Sequence, residues 1–240
     1  MQITIEKITP AIAAAYLESS NTANRPMRLQ HVRALASDMK AGLWQTTHEP
    51  VAFAEDGVLI DGQHRLAAIA QSGKTIEIAV ARGCKRGTFH VVGCGATRTA
   101  GDTLSIAGET CSRRLASAVS AAITGESRNT VSRAAIIEFL RGPRGDLCRA
   151  LAGKNVHSRV LGALVRAVDA GVIDESAAIT FADRFQSGDW NGSDDPVCRL
   201  RMLSDKLHGV GVYPYAVTAI RAFSEGKQIK QIKKSIDFVA

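Results

Sequence analysis

An apolar run, Val58-Leu59-Ile60, passes through Asp61-Gly62-Gln63-His64-Arg65 into Leu66-Ala67-Ala68-Ile69. The first run is short and suits a strand, and the second continues at helical spacing until Ser72-Gly73. Between them Gly62 permits a tight turn and lets another group come close to the backbone. The chain must therefore present the open start of a helix at the end of a strand. The first N–H groups of that helix have no partner inside it, and its macrodipole is positive at that end. A phosphate placed there meets several donors. Arg65 adds a planar, permanently charged fork suited to phosphate oxygens, and His64 can donate or accept. Asp61 can cap the helix, orient Arg65 or hold a divalent cation that bridges phosphates. The plain alternative makes Asp61 an ordinary cap and Arg65 a surface residue.

On either side of this string the chain changes texture. Met1–Lys7 alternates apolar and polar residues as a strand does, and Thr9-Pro10 has the chemistry of a helix start. Asn21–Arg28 is polar, and Val32, Leu35, Ala36 and Met39 then fall on one helical face that ends near Gly42. Pro50–Ala54 reads as a strand, Asp56-Gly57 as its hairpin turn, and Thr75–Ala81 as a further strand. Thr88–Val92 is compatible with either helix or strand. Beyond it helical spacing recurs in Leu115–Ile123, Ala134–Leu140, Val160–Val168, Ala177–Phe185, Leu200–Leu207 and Tyr215–Phe223. The pattern predicts an α+β domain over residues 1–104 and an all-helical domain over residues 105–240. Lys227–Lys234 reads as a short basic amphipathic segment.

A formal charge of +7 suits a polyanionic partner, although charge alone does not identify one. The odd number of cysteines, with no Cys-x-x-Cys pair, argues against a zinc site or a disulfide framework and for a reducing compartment. No stretch approaches the roughly 20 apolar residues of a membrane span, and the first residues lack a leader pattern. The expectation is a cytoplasmic protein with no membrane partner.

Leu59–Ile69 resembles the signature of the ParB/sulfiredoxin superfamily, in its Asp-Gly-Gln-His-Arg branch common in bacteriophages and actinobacteria. Gly62-Gln63-His64-Arg65-Leu66-Ala67-Ala68 is similar to the Gly-Glu-Arg-Arg-x-x-Ala phosphate motif of ParB. Asn24-Arg25, Gly42-x-Trp44, Glu49-Pro50-Val51-x-Phe53 and Gly95-x-x-Arg98-x-x-x-Asp102-x-Leu104 extend the resemblance over roughly residues 20–105. The resemblance implies a ParB/sulfiredoxin-like N-terminal domain with a small mixed sheet. It also implies a nucleoside triphosphate (CTP or ATP) with Mg²⁺, and DNA as partner, in a phage or mobile-element protein that can form a homodimer. Asn24, Arg25, Gly62, Gln63, His64, Arg65 and Arg98 would then contact the nucleotide, and Asp61 or Glu49 would hold Mg²⁺. Gln63 stands where sulfiredoxin has its nucleophilic Cys, which removes that chemistry. His64-Arg65 replaces the Arg pair of the partition proteins, whose helix-turn-helix and dimerising C-terminus have no clear counterpart here.

Function is left among three readings. One is a nucleotide-binding, DNA-associated protein. Another is an NTPase, phosphotransferase or nuclease acting in DNA modification, with Glu49, Asp61 or His64 as the catalytic group. The third is a non-catalytic DNA-binding or interaction protein with a vestigial pocket. Arg28, His31 and Arg33 could add basic contacts, and Gly93-Cys94-Gly95 a second phosphate turn. Arg113-Arg114, Arg128, Arg133, Arg141 and Arg144 could track a DNA backbone or simply solubilise the surface. Ser132–Leu140 followed by Arg149–Leu151 imitates a helix-turn-helix across the unusual connector Gly142-Pro143-Arg144-Gly145.

Overall fold

The structure, a computed structural model, describes residues 1–22, 24–87, 98–127, 129–207 and 209–238. It divides into two compact units, Met1–Thr97 and Arg98–Ala240. The fold class is α+β, a small mixed sheet with helices in the first unit and helices alone in the second. No helix among the described residues is long and apolar enough to cross a membrane.

In the first unit the order is β1 (Gln2–Ile8), α1 (Pro10–Ser20), α2 (Leu29–Lys40), β2 (Val51–Ala54), β3 (Leu59–Asp61), α3 (Gln63–Ser72) and β4 (Ile76–Cys84). The strands lie side by side as β1-β4-β2-β3; β4 is antiparallel to β1 and parallel to β2, and β2 is antiparallel to β3. Local chemistry accounts for most of these boundaries. Thr9 Oγ1 accepts from the Ile12 N–H at 3.2 Å, and Pro10, which lacks an N–H, occupies the first turn of α1. Gly73 ends α3 in the left-handed region, φ 70°. Val51, Phe53, Leu59, Ile76, Ile78 and Val80 point from the strands into one core with Val32, Met39, Leu66 and Ile69 of the helices. Helix α3 packs against both α1 and α2, so its start is held from two sides.

The second unit contains α4 (Ala100–Ile106), α5 (Ser112–Thr124), α6 (Arg133–Arg141), α7 (Gly145–Ala152), α8 (Ser158–Asp169), α9 (Glu175–Ser187), α10 (Pro196–Ser204) and α11 (Tyr213–Ser224). Leu115, Val119, Leu161, Leu164, Phe181, Val217 and Ile220 are completely buried and form its centre. Helices α5 and α8 meet most closely at Gly162, where a Cβ would collide with Ala121. Helix α4, most of which falls within the expected 1–104 domain, packs on α5 and α6. The boundary therefore lies at Thr97/Arg98, not after residue 104.

One other expectation differs from the structure. Helix α7 does follow α6 after a short break, but it exposes only Asp146, Arg149 and Ala150, and Arg149 is paired with Glu109 at 2.7 Å. It offers no free basic face to a DNA groove. The basic segment Lys227–Lys234 runs back over the unit as a strap. Thr218 Oγ1 donates to the Lys233 carbonyl at 2.6 Å, the Ser235 N–H donates to the Pro214 carbonyl, and Ile232 and Phe238 pack on the core. Asp237 locks the end of the strap. Its Oδ2 pairs with Arg166 Nη2 at 2.6 Å and its Oδ1 accepts from Tyr213 Oη at 2.8 Å.

Candidate functional site

The strand–turn–helix forms as expected, but its cap is the backbone of Gly62 rather than the side chain of Asp61. Gly62 has φ 102°, and a Cβ there would lie 2.9 Å from Val51 Cγ2 and 3.1 Å from Val51 Cα. Both the backbone conformation and the neighbouring strand therefore demand glycine. The first amide paired inside the helix is that of Leu66, which donates to the Gly62 carbonyl at 3.0 Å. The N–H groups of Gln63, His64 and Arg65 have no acceptor among the described residues. They constitute the anion-seeking end of α3.

The side chains behind these amides are used internally. Gln63 is 5% exposed; its Nε2 donates to the Arg25 carbonyl at 2.8 Å and its Oε1 accepts from Asn21 Nδ2 at 3.3 Å. Asn24 Nδ2 donates to the Leu59 carbonyl at 2.7 Å and to Asn21 Oδ1 at 2.8 Å. His64 is 8% exposed and its Nε2 accepts from the Arg28 N–H at 3.0 Å. Together these bonds tie the 21–28 loop over the start of α3. The Arg25 and Arg28 side chains are left at the surface, and their charges remain close to His64.

Electrostatics record that closeness. Burial pushes the His64 imidazole below its ordinary range, and the charges of His31, Arg25 and Arg28 push it further, with Asp61 opposing. The His31 and His64 rings meet edge to face, with centroids 5.4 Å apart. His64 is thus a neutral acceptor inside a cationic cluster. Its Nε2 is engaged by the Arg28 N–H.

Arg65, read from sequence as a phosphate fork, spends its guanidinium on the residues just before β2 and on Asp61. Its Nη1 donates to the Glu49 carbonyl, and its Nη2 donates to the Pro50 carbonyl at 2.9 Å and to Asp61 Oδ2 at 3.0 Å. The donor set does not fit a resident Mg²⁺ held by Asp61 and Glu49. A permanent cation already occupies Asp61, and the Glu49 backbone, not its carboxylate, is what approaches that group. No cluster of three or more His, Cys, Asp or Glu suited to a metal occurs among the described residues. Arg98 belongs to the second unit, where its carbonyl accepts from Arg133 Nη1 at 3.1 Å. Thr88–Val92 and the Gly93-Cys94-Gly95 turn fall outside the described residues, as does Arg128.

Sequence reasoning missed Asn21, which links Gln63 to Asn24, and the floor that Val51 provides under Gly62. The polarity of the 21–28 loop was the only signal for the first. No family model matches the chain, and neither a curated protein nor a solved structure does.

Proposed function

We propose that the first unit is a ParB/sulfiredoxin-like nucleotide-binding domain, holding the phosphates of CTP or ATP at the start of α3 in a DNA-associated protein. One observation carries this reading: the amides of Gln63, His64 and Arg65, which have no acceptor among the described residues, lie near the exposed side chains of Arg25 and Arg28. Amides at a helix start and exposed guanidinium groups are complementary to a polyphosphate. In this arrangement Arg25 and Arg28 contact phosphate, while Gly62, Gln63, His64, Arg65 and Asn24 shape the cradle. An enzyme with Glu49, Asp61 or His64 as base is less well supported, since Asp61 and His64 are already engaged.

The internal use of Gln63, His64 and Arg65 favours one second reading, a DNA-binding or interaction protein whose cradle has become structural. Calorimetry with CTP, ATP and ADP, with and without Mg²⁺, separates the two. Saturable binding that an Arg25→Ala/Arg28→Ala variant loses supports the proposal, and no binding of any nucleotide by the wild type refutes it. DNA retardation that is steeply salt-dependent yet indifferent to nucleotide supports the second reading.

A further inference from the structure

Past the end of α11 the strap is buried at every third residue. From Lys227 to Ile236, Ile229, Ile232 and Ser235 are half-buried and all the others are exposed. A period of three is that of polyproline II, with about 3.1 Å of rise per residue, and belongs to neither an α-helix nor a β-strand. The inward residues are the anchors. The Ile229 N–H donates to the Asp194 carbonyl at 2.7 Å, Ile232 packs on the core, and the Ser235 N–H donates to the Pro214 carbonyl at 3.1 Å. The path of the backbone is therefore set, and Lys227, Lys230 and Lys233 stand along it at intervals of one repeat, about 9 Å.

Charge along this path has one sign. Lys227–Lys234 holds four lysines and no acid, so only neighbouring elements could neutralise it. Their carboxylates are committed elsewhere or to the first lysine. Glu225 pairs with Lys227 at 2.6 Å, Asp194 with Arg199 at 2.6 Å, and Asp237 with Arg166 at 2.6 Å. Lys230 and Lys233 are exposed and make no ion pair among the described residues. Lys234 Nζ stands 6.0 Å from the centroid of the Tyr215 ring, a contact that steadies the ammonium and leaves its charge uncancelled. Behind the strap Arg221, whose Nη2 donates to the Asp237 carbonyl at 3.3 Å, adds to the positive field.

We propose that Lys230, Lys233 and Lys234 are the surface on which the helical unit holds the phosphodiester backbone of DNA, without reading its sequence. Lysines are flexible point charges that pair with phosphates and carry no base information. A backbone anchored in advance leaves only their side chains to be ordered on binding. A polybasic segment also attracts an anionic membrane, but stable attachment there needs an apolar group as well. Ile229 and Ile232 are turned inward, and Ile236 is the one large apolar side chain the strap exposes, so the arrangement favours nucleic acid. The inference rests on the DNA association proposed above and names its contact; it is independent of any nucleotide at α3.

The full chain is titrated, without nucleotide, against a labelled DNA duplex over a range of salt concentrations. Lys230→Gln/Lys233→Gln/Lys234→Gln should weaken binding at least about tenfold near 0.1 M salt. It should also lower the slope of log K against log salt by roughly 2–3, since each lost phosphate contact removes about 0.9. Arginine at the same three positions should keep binding within about threefold of the parent, and so should a duplex of unrelated sequence. Lys7→Gln/Lys40→Gln/Lys74→Gln removes equal charge from exposed lysines of the first unit and should change the slope by less than about 1. A strap variant that binds as the parent does overturns the inference and leaves DNA association standing, whereas a parent that binds no DNA overturns both. Equal losses in the two lysine-to-glutamine variants, or binding to phosphatidylserine vesicles in place of the duplex, also overturn it.

Discussion

Replacing Arg65 with alanine tests whether that residue is a latch or a ligand. In the structure its side chain is 15% exposed and donates to the carbonyls of Glu49 and Pro50, fastening the start of α3 to the residues just before β2. A hydrogen bond from a charged group contributes about 1.5–3 kcal/mol, and water can reach the Glu49 carbonyl once the fork is gone, so the two together are worth about 2–4 kcal/mol. The pair with Asp61, whose side chain is 51% exposed, adds less than about 1 kcal/mol. With a urea slope of about 1.5–2 kcal/mol/M, the midpoint of the first unit should fall by roughly 1–2 M without any nucleotide present. The chain's two tryptophans allow that unit to be watched alone. Trp44 packs against the core of the first unit and Trp190 belongs to the second, so Trp44 fluorescence is read in a Trp190→Phe background. Arg65→Lys should recover less than half of the loss, because an ammonium cannot reproduce the fork. A midpoint for Arg65→Ala within about 0.3 M of the parent would refute the latch.

Three further expectations follow from the same geometry. Gly62→Ala should cost about 2–4 kcal/mol, combining left-handed strain with a Cβ driven into Val51, and an unchanged urea midpoint would mean the turn can relax. The His64 imidazole is held below its ordinary range by burial and neighbouring charge, so it contributes stability above the unfolded value of about 6.5 that is lost as pH falls below it. Thermal scans of the first unit should slope downward over that window, and His64→Gln should flatten the slope; an equal slope in the variant contradicts the assignment. Asp237→Ala strands Arg166 and Tyr213, which should cost about 2–3 kcal/mol and speed tryptic cleavage at Lys230 and Lys233. Burial opposes ionisation of Asp237, but Arg166 and Tyr213 more than offset it, so the lock holds above the ordinary carboxylate range and fails as pH drops through the lowered value. Cleavage as slow as in the parent would argue against the lock.

Some features were legible from residues a few positions apart. Thr9-Pro10 specified the start of α1, Asp56-Gly57 the hairpin, Gly73 the end of α3, and periodic apolar residues the longer helices of the second half. Gly62 was readable as a turn because the strand before it and the helix after it left no other path. The α+β class followed from the same local patterns. Helix α4 was not legible and α7 only in its last residues: each is short and contains glycine, so its register is imposed by packing on α5 and not by its own periodicity.

The fates of the polar side chains were decided at longer range. Arg65 offers the same fork to a phosphate or to a carbonyl, and only the approach of Glu49 and Pro50 made the choice. His64 became a neutral acceptor because the 21–28 loop folds over it, and Arg25 and Arg28 were left outward by the same fold. The strap at Lys227–Lys234 has the composition of a basic amphipathic segment, and its place is set by the Thr218 bond from α11 and by Asp237. A sequence determines where a turn or helix can start, because those effects act over one or two turns of chain. Which partner a charged or polar group takes depends on groups brought beside it from distant positions, and only the tertiary structure decides that.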